Sequence, residues 1–157
     1  MKTIQGWLTE YAESHQNPTN KAIHFICVPL IFFTVVGLLY SVKLPVTLPV
    51  FNHPQLNMAE VALVAVVIYY VMLSFSLSIG MLLYSLACLF VCREIEHAGF
   101  MPLWAFCLII FVIAWIFQFY GHSVEGKKPS FFKDLQFLLI GPAWVMSFIF
   151  GKVGLSL

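Results

Sequence analysis

The sequence predicts an all-α integral membrane protein, with an N-terminal amphipathic surface helix and four to five transmembrane helices in a compact bundle. Of its 157 residues, 61% are hydrophobic and only 10% are charged. The mean hydropathy is +0.93, and a soluble domain of this size could not keep so much apolar surface from water. The apolar residues also form several runs long enough to span a bilayer. We therefore expect one membrane domain over residues 1–157, and the net charge of +1 gives no basis for nucleic-acid binding.

The first forty residues predict a surface helix and then the first span. In residues 4–14, apolar side chains recur at helical spacing among polar ones: Ile4, Trp7, Leu8 and Tyr11. Such a helix is suited to lying on the membrane surface. Asn17 and Pro18 then form an N-cap and a first helical position. The helix that follows carries the apolar run 22–41, which is long enough to span, and we expect a kink at Pro29.

The apolar run from Met58 to Cys92 predicts two spans rather than one. As a single helix it would be about 50 Å long at about 1.5 Å per residue, against a hydrocarbon core of about 30 Å. Small residues lie near its middle, and we place a tight turn at Ser76–Gly80. The two predicted helices are then 58–76 and 79–93.

Two further apolar segments follow, each after a polar stretch. Residues 93–99 predict a loop, and residues 100–120 predict the next span. Residues 121–130 are polar again. The last apolar helix, 134–151, is interrupted by Gly141-Pro142, so it either spans the membrane or re-enters it.

The number of crossings decides which histidines can meet. Four spans between His24 and His122 return the chain to its starting side, so that His15, His24 and His122 share one face. His53 and His97 then fall on the other face, where we expect solvated loop residues. Five of the eight basic residues lie on the side of the N-terminus, which predicts that this side is cytoplasmic. The membrane would be the bacterial inner membrane or, in a eukaryote, the endoplasmic reticulum.

The spacing of these histidines is suited to a metal site. His15 and His24 are nine residues apart, and on one unbroken helix they would point in opposite directions. The break at Asn17-Pro18 lets the first helix fold back, which brings the two rings together. Imidazoles with one carboxylate suit a divalent transition metal, with iron(II) and zinc the leading choices.

The residues around these histidines supply partners for such a site. Asn20 precedes His24 by one turn, as Gln118 precedes His122, and we expect both amides to support imidazole N–H groups. Glu125 lies three residues beyond His122, on the same face if the helix continues past Gly121, and is the candidate carboxylate ligand; it would otherwise pair with a neighbouring lysine. A purely interfacial role for the histidines stays open.

The stretch "YAESHQNPTNKAIHFICVP", followed about a hundred residues later by "QFYGHSVEGKKPS", resembles the Mpo-like family of small membrane proteins. Characterised fungal members of that family are iron(II)-dependent 2-hydroxy fatty acid dioxygenases. The resemblance covers nearly the whole chain and implies the same activity, with Fe(2+) as cofactor and a 2-hydroxy fatty acid and O2 as substrates. It points to these positions in the two motifs: His15, Asn20, His24, Pro29, Gln118, Gly121, His122, Glu125 and Pro129.

The implied reaction assigns roles to these residues. His15, His24, His122 and Glu125 would hold the metal, with His24, His122 and Glu125 taking part in catalysis. Lys127 and Lys128 would attract the substrate carboxylate. Three other functions remain open from the sequence: a non-enzymatic lipid-binding protein, a zinc-dependent lipid hydrolase and a bis-histidine haem protein.

Overall fold

The structure is a computed structural model, which describes residues 3–46, 55–126 and 137–155. Within these residues the chain forms six α-helices and no strand, which confirms the predicted fold class. The helices are α1 (Ile4–Glu13), α2 (Pro18–Tyr40), α3 (Met58–Leu73), α4 (Phe75–Ala98), α5 (Leu103–Glu125) and α6 (Ile140–Val153). Helix α2 begins as predicted, because the Asn17 side chain caps it and Pro18 occupies its first turn.

Three of these helices, α2, α4 and α5, are long and apolar enough to cross a membrane. Large apolar side chains on their outer faces are exposed, among them Leu83, Phe90 and Ile116, as expected for a surface that meets lipid. Helices α3 and α6 are also apolar but have only 16 and 14 residues. At about 1.5 Å per residue they measure about 24 and 21 Å, short of a core of about 30 Å. The number of crossings therefore stays a prediction.

The break between α3 and α4 lies at Ser74, earlier than the turn expected at Ser76–Gly80. Ser74 has an extended backbone, and its hydroxyl accepts a hydrogen bond from the Leu77 N–H, so it ends one helix and caps the next. Ser78 remains helical because its hydroxyl donates to the Phe75 carbonyl at 2.6 Å. Gly80 lies where the Phe150 ring packs against the helix backbone. Its small size therefore serves helix packing rather than a turn.

Two segments expected to be loops are helical. Residues 93–98 continue α4 until Gly99, whose left-handed backbone (φ 62°) ends the helix. Residues 121–125 continue α5 until Gly126, which ends it in the same way (φ 72°). The second extension matters for the site, since it keeps Glu125 on the helix that carries His122.

Helices α2 and α5 pack side by side in opposite directions and form the frame of the site. Near one end, Asn20 of α2 contacts Gly121 of α5; near the other, Gly37 of α2 lies against Cys107 of α5. Small residues at both crossings let the helix backbones approach closely. This antiparallel packing places the first turns of α2 beside the last turns of α5.

The two terminal helices close one side of this frame. The apolar stripe of α1, with Ile4, Leu8 and Tyr11, is buried against the rest of the protein. Of the apolar segment 134–151, residues 137–139 are a turn and α6 begins only at Ile140, so Gly141-Pro142 lies in its first turn, where a proline breaks no helical hydrogen bond. Residues 134–136 are outside the described residues. Gly141 fits against the Tyr11 ring and Val28, which locks α1 and α6 onto α2.

Candidate metal centre

Three imidazoles from three helical segments meet at this end of the bundle. His15 follows α1, His24 lies in the second turn of α2, and His122 lies in the last turn of α5. One ring nitrogen from each lies within 4.8 Å of the other two. The ring centroids are 4.2 Å apart for His15 and His24, 5.0 Å for His24 and His122, and 5.5 Å for His15 and His122. The exposed fractions are only 3%, 2% and 6% in chain order, so this histidine cluster is shielded from solvent.

Backbone carbonyls orient two of the rings. His15 Nδ1 lies 2.6 Å from the Tyr11 carbonyl oxygen, and His24 Nδ1 lies 2.9 Å from the Asn20 carbonyl oxygen. A carbonyl only accepts, so the nitrogen facing it carries the proton. In the neutral imidazole the lone pair is then on Nε2, which is the arrangement that metal-binding histidines adopt. The cluster thus offers imidazole nitrogens with a fixed tautomer at two positions.

Aromatic rings hold His15 in place from the outside. The Tyr11 ring stacks on the His15 ring with centroids 4.2 Å apart and planes 8° apart. Trp144 of α6 lies 5.7 Å from the same ring. Neither residue was predicted as part of the site. The position of Tyr11, one helical turn before His15, was the available signal, whereas nothing in the sequence pointed to Trp144.

Glu125 is not part of the histidine cluster, although it was predicted as a fourth ligand. Its two carboxylate oxygens accept hydrogen bonds from the backbone N–H groups of Gln16 and Asn17, both at 2.9 Å, and from Asn20 Nδ2 at 3.0 Å. The two backbone donors belong to the turn between α1 and α2, and Asn20 lies in the first turn of α2. The carboxylate therefore ties the end of α5 to the turn that follows His15, because the unpaired N–H groups at a helix start attract an anion.

Asn20 supports the site differently from the prediction. Its amide nitrogen donates to Glu125 and to the Ser14 carbonyl at 3.3 Å, rather than to an imidazole. Only its backbone carbonyl meets His24. The side chain is fully buried and fits against Gly121, where a Cβ atom would lie 2.5 Å from Asn20 Oδ1. Asn20 is thus a connector between α2, the turn before it and α5.

A small cavity of about 40 Å³ opens beside two of the histidines. His24, Gln118 and His122 form its polar wall, and Gln118 is buried. The expected support of an imidazole by the Gln118 amide stays a prediction. The other wall is apolar or aromatic: Tyr11, Val28, Ile31, Trp115, Phe137 and Leu138. The indole nitrogen of Trp115 is buried without a hydrogen-bond acceptor among the described residues. Two of the three imidazoles thus lie on one side of the cavity, and a residue with a buried hydrogen-bond donor lies on the other.

The remaining predicted positions lie elsewhere. Lys127, Lys128 and His53 are outside the described residues, so their positions stay predictions. His97 is exposed near the end of α4, beside the Glu96 that pairs with Lys43 at 3.0 Å. Lys43 lies just beyond the end of α2 at Tyr40, and α2 rises about 24 Å from His24 to Tyr40 at the helical rise, so His97 is far from the histidine cluster.

The fold and the site together define a class: a small helical membrane protein in which three buried imidazoles converge, two from separate helices and one from the turn after the first helix. Comparison with known proteins is consistent with this class and narrows it. The family model described as "2-hydroxy-palmitic acid dioxygenase Mpo1-like" matches residues 1–153. The chain belongs to this Mpo1-like family.

One characterised relative is similar over most of both chains. The 2-hydroxy-palmitic acid dioxygenase MPO1 of Saccharomyces cerevisiae is 32% identical over 153 residues, which cover 96% of this chain and 82% of the relative. No solved structure gives a significant match.

Proposed function

We propose that this protein is an iron(II)-dependent dioxygenase, which converts 2-hydroxy fatty acids and O2 to fatty acids one carbon shorter. The observation that carries the proposal is the buried histidine cluster formed by His15, His24 and His122. The yeast relative, named as a 2-hydroxy-palmitic acid dioxygenase, supports the substrate class.

The donor set fits iron(II). Imidazole is a good ligand for iron, and oxygenases of the non-haem type use three facial protein ligands that leave other coordination positions open. Here three imidazoles supply that number without Glu125. When bound, iron(II) would activate O2 and engage the carboxylate and hydroxyl groups of the substrate.

The reaction needs no further reductant. A 2-hydroxy acid and O2 give the acid one carbon shorter, CO2 and water. The bond between carbon 1 and carbon 2 breaks, and the two carbons lose four electrons in total, which O2 accepts. The electrons therefore balance without a flavin or a reducing co-substrate.

The chain's own side chains would position the substrate. The head of the acid would enter the cavity beside His24 and His122, where the buried Trp115 indole N–H can donate to an oxygen. Such a pairing matters because a buried donor without an acceptor costs about 1–3 kcal/mol. Gln118, which lies beside His24 and His122 on the polar wall, would offer its amide to the hydroxyl or carboxylate group of the acid. The apolar residues opposite exclude bulk water from the reacting carbons.

Location in the membrane suits this substrate. A fatty acid keeps its head group at the interface and its hydrocarbon in the bilayer. The histidine cluster lies at one end of α2 and α5, two of the three helices that are long and apolar enough to span. We place this end at the cytoplasmic face, where Lys127 and Lys128 would attract the carboxylate from solution.

The test is anaerobic purification in detergent, loading with iron(II), and addition of 2-hydroxypalmitate and O2. We expect the acid one carbon shorter and one CO2 per O2 consumed. His15→Ala, His24→Ala and His122→Ala should each abolish turnover and iron binding, whereas His97→Ala, at an exposed position, should leave both unchanged.

Elemental analysis and thermal unfolding provide readouts besides activity. Iron(II) at about 100 times its dissociation constant should stabilise the native protein by about 2.7 kcal/mol, and the stabilisation should vanish in His24→Ala. Activity on lipid esters that persists without O2 and requires zinc would replace the proposal with a hydrolase.

A further inference from the structure

A second, larger cavity lies deeper in the bundle than the histidine cluster. It has a volume of about 300 Å³ and an almost wholly apolar lining from α2, α3 and the turn before α6. The lining residues are Phe32, Val35, Val36, Leu39, Ala59, Ala62, Leu63, Val66, Leu138 and Leu139. Its volume is near the lower end of the range for small-molecule pockets, about 300–1,000 Å³.

Residues on one face of α2 line both cavities. His24, Val28, Ile31 and Val35 follow one another at spacings of four, three and four residues, which puts them on a single stripe of the helix. His24, Val28 and Ile31 line the cavity at the histidine cluster, and Val35 lines the larger one. Leu138 lines both. The larger cavity therefore lies next along this stripe after the cavity at the histidine cluster, on the path that a chain with its head beside His24 would take.

Small residues on α3 create the space. Ala59, Ala62, Leu63 and Val66 form one stripe of that helix at spacings of three, one and three residues. Alanines at two of these positions leave room that larger side chains would fill. The third side of the cavity is formed by Leu138 and Leu139, in the turn before α6. The buried Tyr70 hydroxyl donates to the Leu139 carbonyl at 2.6 Å, which holds this turn in place.

We propose that this α2–α3 cavity receives the hydrocarbon tail of the substrate and measures its length. The inference rests on the proposed function, since it takes the head of a 2-hydroxy acid to lie at the histidine cluster. From Val28 to Leu39, α2 rises about 16 Å at about 1.5 Å per residue. That is close to half of a hydrocarbon core of about 30 Å, the depth that one acyl chain covers in one leaflet. The shared stripe of α2 and the shared Leu138, which place this cavity next to His24, favour the tail of the substrate over that of a bilayer lipid.

The first test changes the far end of the cavity. Ala62→Phe should fill it, while Ala65→Phe is the matched control, because Ala65 is exposed on the same helix and does not line the cavity. With a series of 2-hydroxy acids, Ala62→Phe should lower kcat/KM for the longest chains by about tenfold or more and leave the shortest within about twofold of wild type. The same dependence on chain length in Ala62→Phe, Ala65→Phe and wild type would overturn the proposal.

The second test does not depend on turnover or on a folded variant. 2-Hydroxypalmitate with a photoreactive diazirine at its terminal carbon is cross-linked to the metal-free wild-type protein in vesicles. We expect adducts within 32–39 of α2 and 59–66 of α3, and competition by unlabelled 2-hydroxypalmitate. Adducts at other positions would refute a tail site. Adducts within 32–39 and 59–66 would also refute it if added bilayer lipid displaces them and unlabelled 2-hydroxypalmitate does not.

The two proposals can fail separately. Competed cross-links in a protein that oxidises no 2-hydroxy acid would refute the dioxygenase and support the tail site. Turnover by wild type with an unaltered chain-length profile in Ala62→Phe would support the dioxygenase and refute the tail site.

Discussion

Gly121 of α5 lies directly against the side chain of Asn20 of α2, so closely that a Cβ atom at position 121 would be 2.5 Å from Asn20 Oδ1. Both residues are buried, and each neighbours the histidine cluster: His122 follows Gly121, and the Asn20 carbonyl orients His24. The absence of a side chain at position 121 therefore sets the separation of the two helices that carry these histidines.

Gly121→Ala should separate α2 and α5 at the level of the site. The added methyl group meets a buried side chain that is hydrogen-bonded to Glu125, so Asn20 has little freedom to move aside. Overpacking of this kind costs about 1–3 kcal/mol. We expect that loss in denaturant unfolding of the detergent-solubilised protein, together with weaker iron(II) binding by titration.

Gly151→Ala is the matched control for that substitution. Gly151 is exposed in α6, and a Cβ atom there meets nothing within 4 Å. Because alanine favours a helix over glycine by roughly 0.5–1 kcal/mol, this variant should be as stable as wild type or slightly more so. Iron binding that is equally unchanged in Gly121→Ala would show that the contact with Asn20 does not control the site.

Glu125→Gln distinguishes a ligand from a positioning residue. The glutamine keeps one acceptor oxygen for three donors and presents an NH2 group to the others, so the turn after His15 should loosen. We expect a stability loss of about 1–2 kcal/mol, at the lower end for hydrogen bonds to a charged group. Iron(II) should still bind in a one-to-one ratio but about tenfold more weakly, as for other residues that orient a ligand.

Glu94→Gln is the control for this substitution, because Glu94 is at an exposed position of α4. It should change neither stability nor metal affinity. If Glu125→Gln instead abolishes iron binding as completely as His24→Ala does, Glu125 is a ligand in the metal-loaded protein, and the carboxylate must leave the α1–α2 turn when metal binds.

The sequence predicted the helices through their apolar runs, but it located their ends less well. The division of Met58–Cys92 followed from length alone, and length cannot choose among several serines. Ser74 became the break because its hydroxyl caps α4, whereas Ser78 satisfies its hydroxyl within the helix. Polar residues after position 92 and position 120 suggested loops, yet helices ending at an interface or in solvent readily include such residues until a glycine adopts a left-handed backbone.

The convergence of His15 and His24 could be predicted from helix geometry and the break at Asn17-Pro18, and that of His122 from an even number of predicted spans. The partner of Glu125 could not. Helical spacing puts Glu125 on the face of His122, but its choice between metal and backbone depends on how closely the turn of residues 14–17 approaches α5. That approach is set by tertiary contacts such as Asn20 against Gly121, which leave no periodic signal in the sequence.

The crossing of α2 and α5 at the far end from the site offers a test of the frame itself. A Cβ atom at Gly37 would collide with the Cys107 sulfur, which is fully buried. Gly37→Ala should therefore cost about 1–3 kcal/mol of stability. Cys107→Ala removes the sulfur and, in the double variant, should relieve most of that cost, so the two substitutions should couple by about 0.5–3 kcal/mol.

Denaturant unfolding of wild type, the two single variants and the double variant measures this coupling. Gly37→Ala combined with Cys88→Ala, a buried cysteine on α4, is the control in which no relief is expected. Additive effects in the Gly37 and Cys107 pair would mean that α2 and α5 do not approach as closely as the structure shows, and the antiparallel frame that brings His24 to His122 would lose its support.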